Sequence, residues 1–225
     1  MRRIGLFALC GLLAAGLTPG QEAPKGIVVD KAARAITLDC KVAPRKINDE
    51  KFKEIYPIEV IASWPYPRGQ KAHETVLTYD AKPSDIHQAI ESLGLKAGKP
   101  AVGEGTPPAG PAVAVFVEFA TEDGGVKKLP IEKVLVDMKT GKNLPKLEWR
   151  FTGSALKAVD PNKPDEKVYG ADTTGTLITI FPVSDSTVLQ TNLTMKEEKL
   201  VKLDTDKKVL PKEGTPVKLI LELAK

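Results

Sequence analysis

The sequence is poor in the side chains that most often carry chemistry. Its 225 residues include two cysteines, two histidines and two tryptophans, and aromatic residues make up only 5%. So few thiols exclude a disulfide scaffold and zinc sites built from paired cysteines. No charge of one sign dominates. Beyond the first twenty residues, 31 basic face 29 acidic side chains, and lysines often stand beside acids, as in Lys196-Glu197-Glu198-Lys199. Without a concentrated basic face, nucleic acid is not an expected partner. Gly-x-Ser-x-Gly, Walker and dinucleotide-binding patterns are all missing. Also missing is an apolar run of the roughly 20 residues that a membrane-spanning helix needs.

The longest apolar run, Ile4–Leu17, has 14 residues without a charge. Arg2 and Arg3 precede it, and Thr18-Pro19-Gly20 follows. That order is the layout of a secretory signal peptide. Residues 1–20 are therefore expected to be removed, leaving a mature chain outside the cytoplasm, in the periplasm or secreted, with no stable membrane span. Cys40 is then the remaining thiol and has no internal disulfide partner. It alternates with Ile36 and Leu38, which places it on an apolar face as a small hydrophobe.

The rest of the chain reads mostly with period two, the signature of strands. In Ala35–Val42, the side chains Ile36, Leu38, Cys40 and Val42 share one face. The pattern predicts further strands at Gly26–Asp30, Tyr56–Trp64, His73–Tyr79, Val113–Phe119, Val126–Ile131, Leu147–Phe151, Thr176–Val183 and Val217–Leu223. Residues 132–139 fit helix and strand equally. One helix is well marked: Pro83 and Ser84 start it, Asp85 lies in its first turn, and Ile86, Ala89, Ile90 and Leu93 share a face before Gly94. The expected fold is mainly β (α+β), sandwich-like or open-barrel, with one helix packed near residues 83–93. A single domain over residues 25–225 is expected, with a Gly/Pro-rich loop at 96–111.

Candidate sites are few. His73, Glu74, Asp85 and His87 are the residues from which a zinc or copper site could be made, if the strand at 73–79 packs beside the helix. Their spacing matches no metal signature, and the simpler expectation is a histidine bonded to loop backbone with the other exposed on the helix. Trp64 and Tyr66 interleave with prolines and could form a ligand-binding platform, or fold back as plugs over a sheet edge. Ser154 and Lys157 match Ser-x-x-Lys, but a polar loop follows where that chemistry needs a buried helix.

Several segments together carry a family resemblance: His73-Glu74-Thr75, Lys82-Pro83-Ser84-Asp85-Ile86-His87, Leu93-Gly94-Leu95-Lys96-Ala97-Gly98, Trp149-Arg150-Phe151-Thr152-Gly153-Ser154, Tyr169-Gly170-Ala171-Asp172 and Gly214-Thr215-Pro216-Val217-Lys218-Leu219. In these the chain resembles the YdjY domain family of bacterial exported proteins, over roughly residue 25 to the end. Thr75 departs from the serine more usual there. The resemblance implies export and one folded unit, and it carries over no reaction and no catalytic residue. The expected function is an exported protein of the cell envelope, a non-enzymatic binding or structural module without a cofactor. Its partner would be an envelope protein or a small ligand. The alternative is a metal-binding or redox accessory protein using His73, Glu74 and His87.

Overall fold

Alternating side chains need a wall with a dry face and a wet one, and this chain builds that wall as a barrel. The computed structural model describes residues 26–223, so the expected signal peptide lies outside the described residues. In chain order the elements are β1 (Ile27–Asp30), β2 (Ala35–Val42), β3 (Val60–Ser63), β4 (Thr75–Tyr79), α1 (Pro83–Ser92), β5 (Ala112–Ala120), β6 (Val126–Pro130), β7 (Leu135–Asp137), β8 (Trp149–Phe151), β9 (Leu156–Ala158), β10 (Lys167–Tyr169), α2 (Ala171–Thr174), β11 (Thr176–Thr179), β12 (Leu189–Thr191), α3 (Met195–Leu200), β13 (Leu203–Thr205) and β14 (Pro216–Leu223). Short 3₁₀ turns occupy Ala72–Glu74 and Ile131–Val134.

Eight strands close on themselves in the order β2-β14-β5-β8-β12-β11-β3-β4 and back to β2. Two long strands make closure possible. β14 covers one edge of β2 from Ala35 to Lys41. On the other edge, Ala35–Leu38 pairs with β1 and Cys40–Val42 pairs with β4. β5 divides its edge in the same way, giving Ala112 and Val113 to β8 and Phe116–Ala120 to β6. A strand that changes partner partway along bends the sheet, which is how a twisted sheet curls into a barrel. The fold is thus mainly β, as the alternation predicts, and the barrel is closed rather than open. Most pairings are antiparallel, but β3–β4 and β11–β12 are parallel.

The buried face follows the period-two pattern. Ile36, Leu38, Cys40 and Val42 of β2, Val113, Val115, Val117 and Phe119 of β5, and Val217, Leu219, Leu221 and Leu223 of β14 belong to one hydrophobic core. Helix α1 adds Ile86 and Ile90, both fully buried. Pro83 opens the helix, and Gly94 takes the left-handed conformation (φ 94°) just after its end.

The deviations have local causes. Tyr56–Trp64 is strand only at Val60–Ser63, in a segment bounded by Pro57 and Pro65, which lack the N–H that a ladder requires. His73 and Glu74 fall in a 3₁₀ turn, and strand begins at Thr75. The ambiguous stretch at 132–139 splits into a turn and β7 around Glu132, which is 3% exposed. Its Oε1 accepts from the Leu147 amide at 3.0 Å and from Trp149 Nε1 at 2.8 Å, which satisfies a buried carboxylate oxygen without an ion pair.

Candidate functional site

The long connection from β2 to β4 brings together several aromatic residues, among them Tyr66, the one exposed large aromatic among the described residues. The Phe52 ring lies 4.4 Å from the His73 imidazole, centroid to centroid. Tyr56 meets His73 edge-on at 5.0 Å, and Tyr66 meets Phe52 edge-on at 5.7 Å. These edge-to-face contacts are the geometry favoured by aromatic quadrupoles. The Tyr66 hydroxyl donates to the Asp49 carboxylate. Tyr66 is 37% exposed and Ile55 is 53% exposed, so the cluster faces water.

Beneath the rings is a half-buried ionic network. Lys71 Nζ lies 3.1 Å from Glu59 Oε2 and 2.5 Å from Glu74 Oε2. Burial, and then the negative Glu74, push the Glu59 carboxyl above its ordinary range. Burial alone pulls Lys71 down, but bonding to Glu74 and the charges of both carboxylates outweigh it, and the ammonium is held above its usual value. His73 Nε2 lies 3.2 Å from Glu74 Oε1. Burial first, and the positive Lys71 second, hold the imidazole below its ordinary pKa. The negative charge of Glu59 opposes this without reversing it. His73 is therefore neutral at pH 7, and its Nδ1 is buried without a hydrogen-bond partner.

The structure thus brings together three of the residues singled out in the sequence, His73, Glu74 and Tyr66. The others lie elsewhere. Trp64 folds back on the barrel: its Nε1 donates to the Ala81 carbonyl at 2.7 Å and its amide to the Gly175 carbonyl at 2.8 Å. Arg68 covers the indole at 5.0 Å and pairs with Asp80 at 2.6 Å. Asp85 lies half-buried in the first turn of α1. His87 Nδ1 is 2.7 Å from the Tyr169 hydroxyl, its Nε2 is 3.4 Å from Glu91 Oε1, and its ring meets Phe151 at 5.0 Å. His73 precedes β4 and His87 follows it on α1, and their neighbours differ. Among the described residues, no group of three or more His, Cys, Asp or Glu side chains is placed to hold a metal ion.

The Ser-x-x-Lys pattern does not assemble either. Ser154 Oγ accepts from the Ala171 amide at 2.9 Å, while Lys157 Nζ pairs with Asp185 at 2.7 Å. Cys40 is 5% exposed, and burial pushes its thiol up to about 12. Sequence reasoning did not find Phe52 and Tyr56, which stand four apart in a polar stretch with no periodicity to mark them. Nor did it find Asp172, whose Oδ1 accepts from the Ser84 amide at 2.8 Å. That bond caps α1 from a distant segment, where Lys82 has no side-chain acceptor to offer.

Segments on which the family resemblance rests converge around His87. Gly153, at φ 65°, passes so close that a Cβ there would lie 3.2 Å from His87 Cε1 and 2.9 Å from Ala97 Cβ. The Gly98 amide donates to the Phe151 carbonyl at 3.0 Å, and Tyr169 closes the group through its hydroxyl. The family model of the YdjY domain matches residues 27–222. The chain belongs to the YdjY domain family. No curated protein and no solved structure matches it. The YdjY match runs from the first residue of β1 to the penultimate residue of β14, so the domain spans the entire barrel. The ring cluster of residues 52–73 and the His87 group are both parts of this YdjY domain.

Proposed function

We propose that this YdjY domain is an exported, non-catalytic binding module of the cell envelope, and that the Phe52–Tyr56–Tyr66–His73 cluster is its contact surface. The single observation that carries the reading is that four rings pack together in one connecting segment, through two edge-to-face contacts and one tilted contact, with Tyr66 exposed and the other three half-buried. Most large aromatics are buried, and exposed ones that support each other offer large contact area at low conformational-entropy cost. Such a surface suits a partner with flat or ring-shaped apolar faces, either a sugar or a prolyl segment of an envelope protein. Export is supported by Arg2, Arg3 and the apolar run Ile4–Leu17.

Two measurements test this. The full chain, expressed in a bacterium, is expected outside the cytoplasm with an N-terminus near residue 21. Cytosolic protein that keeps Met1 would refute export. The purified domain is then titrated with a proline-rich peptide and with a soluble oligosaccharide, followed by amide NMR shifts. Saturable shifts at residues 49–74, lost in Tyr66→Ala with the rest of the spectrum unchanged, are the expected result. Shifts in neither titration refute the contact surface.

A further inference from the structure

A cleft lies where the end of β2 meets the segment between β13 and β14, and Arg45 in its lining touches the ring cluster only through the Tyr56 backbone. Its volume is about 330 Å³, at the small end of ligand sites. Val42 and Leu210 supply buried apolar wall, and Lys207 and Lys212 stand exposed among its lining residues.

The decisive residue is Arg45, which lines this cleft and is only 6% exposed. Its Nε donates to Asp204 Oδ1 at 2.7 Å, and its Nη2 to the Tyr56 carbonyl at 2.6 Å. Its Nη1 is buried and has no hydrogen-bond partner. A guanidinium cannot shed its charge, so two N–H donors on a buried cation lack an acceptor. Such orphans are costly, and a buried polar group left unpaired marks a place where an acceptor belongs. The charge count indicates what kind. Arg45, Lys207, Lys212 and one carboxylate, Glu213, line the cleft; Asp204, outside the lining, offsets Arg45 as its ion-pair partner, and Glu213 Oε1 is engaged by the Arg45 amide at 3.0 Å. One positive charge is left unbalanced.

We infer that this cleft binds a small aliphatic carboxylate, its oxygens accepting from Arg45 Nη1 and its tail against Val42 and Leu210. A singly charged anion balances the site, and a planar carboxylate matches the guanidinium edge. Lys207 and Lys212 attract the anion. Nη1 is closed to solvent in the free protein, so binding requires side chains at the cleft to move aside.

The test uses the full chain and sodium butyrate as probe, at constant ionic strength, followed by amide NMR. Saturable shifts at Arg45, Thr205, Lys207 and Lys212 are expected, and butanol should give none. The exposed pair Lys207→Gln/Lys212→Gln should keep the fold and weaken butyrate binding about tenfold, the scale for losing hydrogen bonds or contacts to a charged group. Arg45→Lys, with folding checked by circular dichroism, should weaken it further, because an ammonium cannot reproduce the planar fork. Tyr66→Ala should leave it unchanged, which separates this site from the ring surface. No saturable shift with butyrate, equal shifts with butanol, or unchanged affinity in the double variant would each overturn the inference.

Discussion

Gly175 offers a direct test of how Trp64 is seated. Gly175 has φ 69°, and a Cβ built on it would lie 2.6 Å from Trp64 Cδ2 and 2.7 Å from Trp64 Cβ. Gly214 has a similar φ of 80°, but a Cβ there meets nothing within 4 Å. Replacing either by alanine imposes the left-handed conformation on an L-residue, which costs about 1–2 kcal/mol. Only Gly175→Ala adds a clash within a packed wall, which costs about 1–3 kcal/mol more. Gly214→Ala should thus lose about 1–2 kcal/mol and Gly175→Ala about 2–5 kcal/mol. Urea unfolding measures both. Tryptophan fluorescence locates the damage, because Trp149 is 2% exposed while Trp64 is half-buried. A displaced Trp64 loses its bond to Ala81 and shifts its emission to the red in Gly175→Ala alone. Equal stability losses in the two variants, with unchanged emission, would refute the assignment of Trp64 as a fixed plug.

Three further outcomes follow from buried groups. Glu132→Ala orphans the Trp149 indole N–H and the Leu147 amide together, for a loss of about 2–6 kcal/mol; Glu132→Gln, whose carbonyl oxygen can still accept, should lose less in the same urea experiment. In a chain carrying Cys10→Ser, Cys40 should react with a thiol reagent at pH 8 about a thousandfold more slowly than in urea, since a thiol near 12 rather than 9.0 ionises that much less; comparable rates would show that the β2 face is open. His73 is held below its ordinary value of 6.5, so the unfolded chain binds its proton first as pH falls. Its contribution is full above pH 6.5 and is lost as pH falls from there through the folded value. The urea midpoint should therefore drop on going from pH 7.5 to 5 by more in the wild type than in His73→Phe.

Long alternating segments were readable because burial imposes period two on each residue of a wall. Ala35–Val42 and Val217–Leu223 lie in strands with the alternating apolar side chains inward, and Val113–Phe119, apolar on both faces in sequence, is a strand that buries one face and leaves Ala114 exposed on the other. Helix α1 was readable from Pro83 and Gly94, whose backbone preferences act locally. Barrel closure was not, because it depends on β2 serving both β1 and β4, and no single segment encodes such a partner change. The site was legible only in fragments. His73, Glu74 and Tyr66 stood out by residue type, but their ring neighbours Phe52 and Tyr56 lie in an irregular stretch without a pattern. Arg45 was invisible for another reason: an arginine among lysines and prolines reads as surface, and only tertiary packing buries it. Trp64 and Tyr66 look equivalent in sequence, yet their surroundings send one onto the barrel and leave the other in water.

The position of β14 has a consequence for how the chain acquires its shape. This strand, the last described, lies between β2 and β5 and pairs with both along most of its length. Until residues 216–223 have been synthesised, β2 and β5 have no strand between them, and the wall cannot close. Such late, long-range pairing makes folding slow and keeps a nascent chain loose until its final strand is available. A protein threaded across a membrane as an extended polymer would gain from that delay, since the wall could not close before passage was complete.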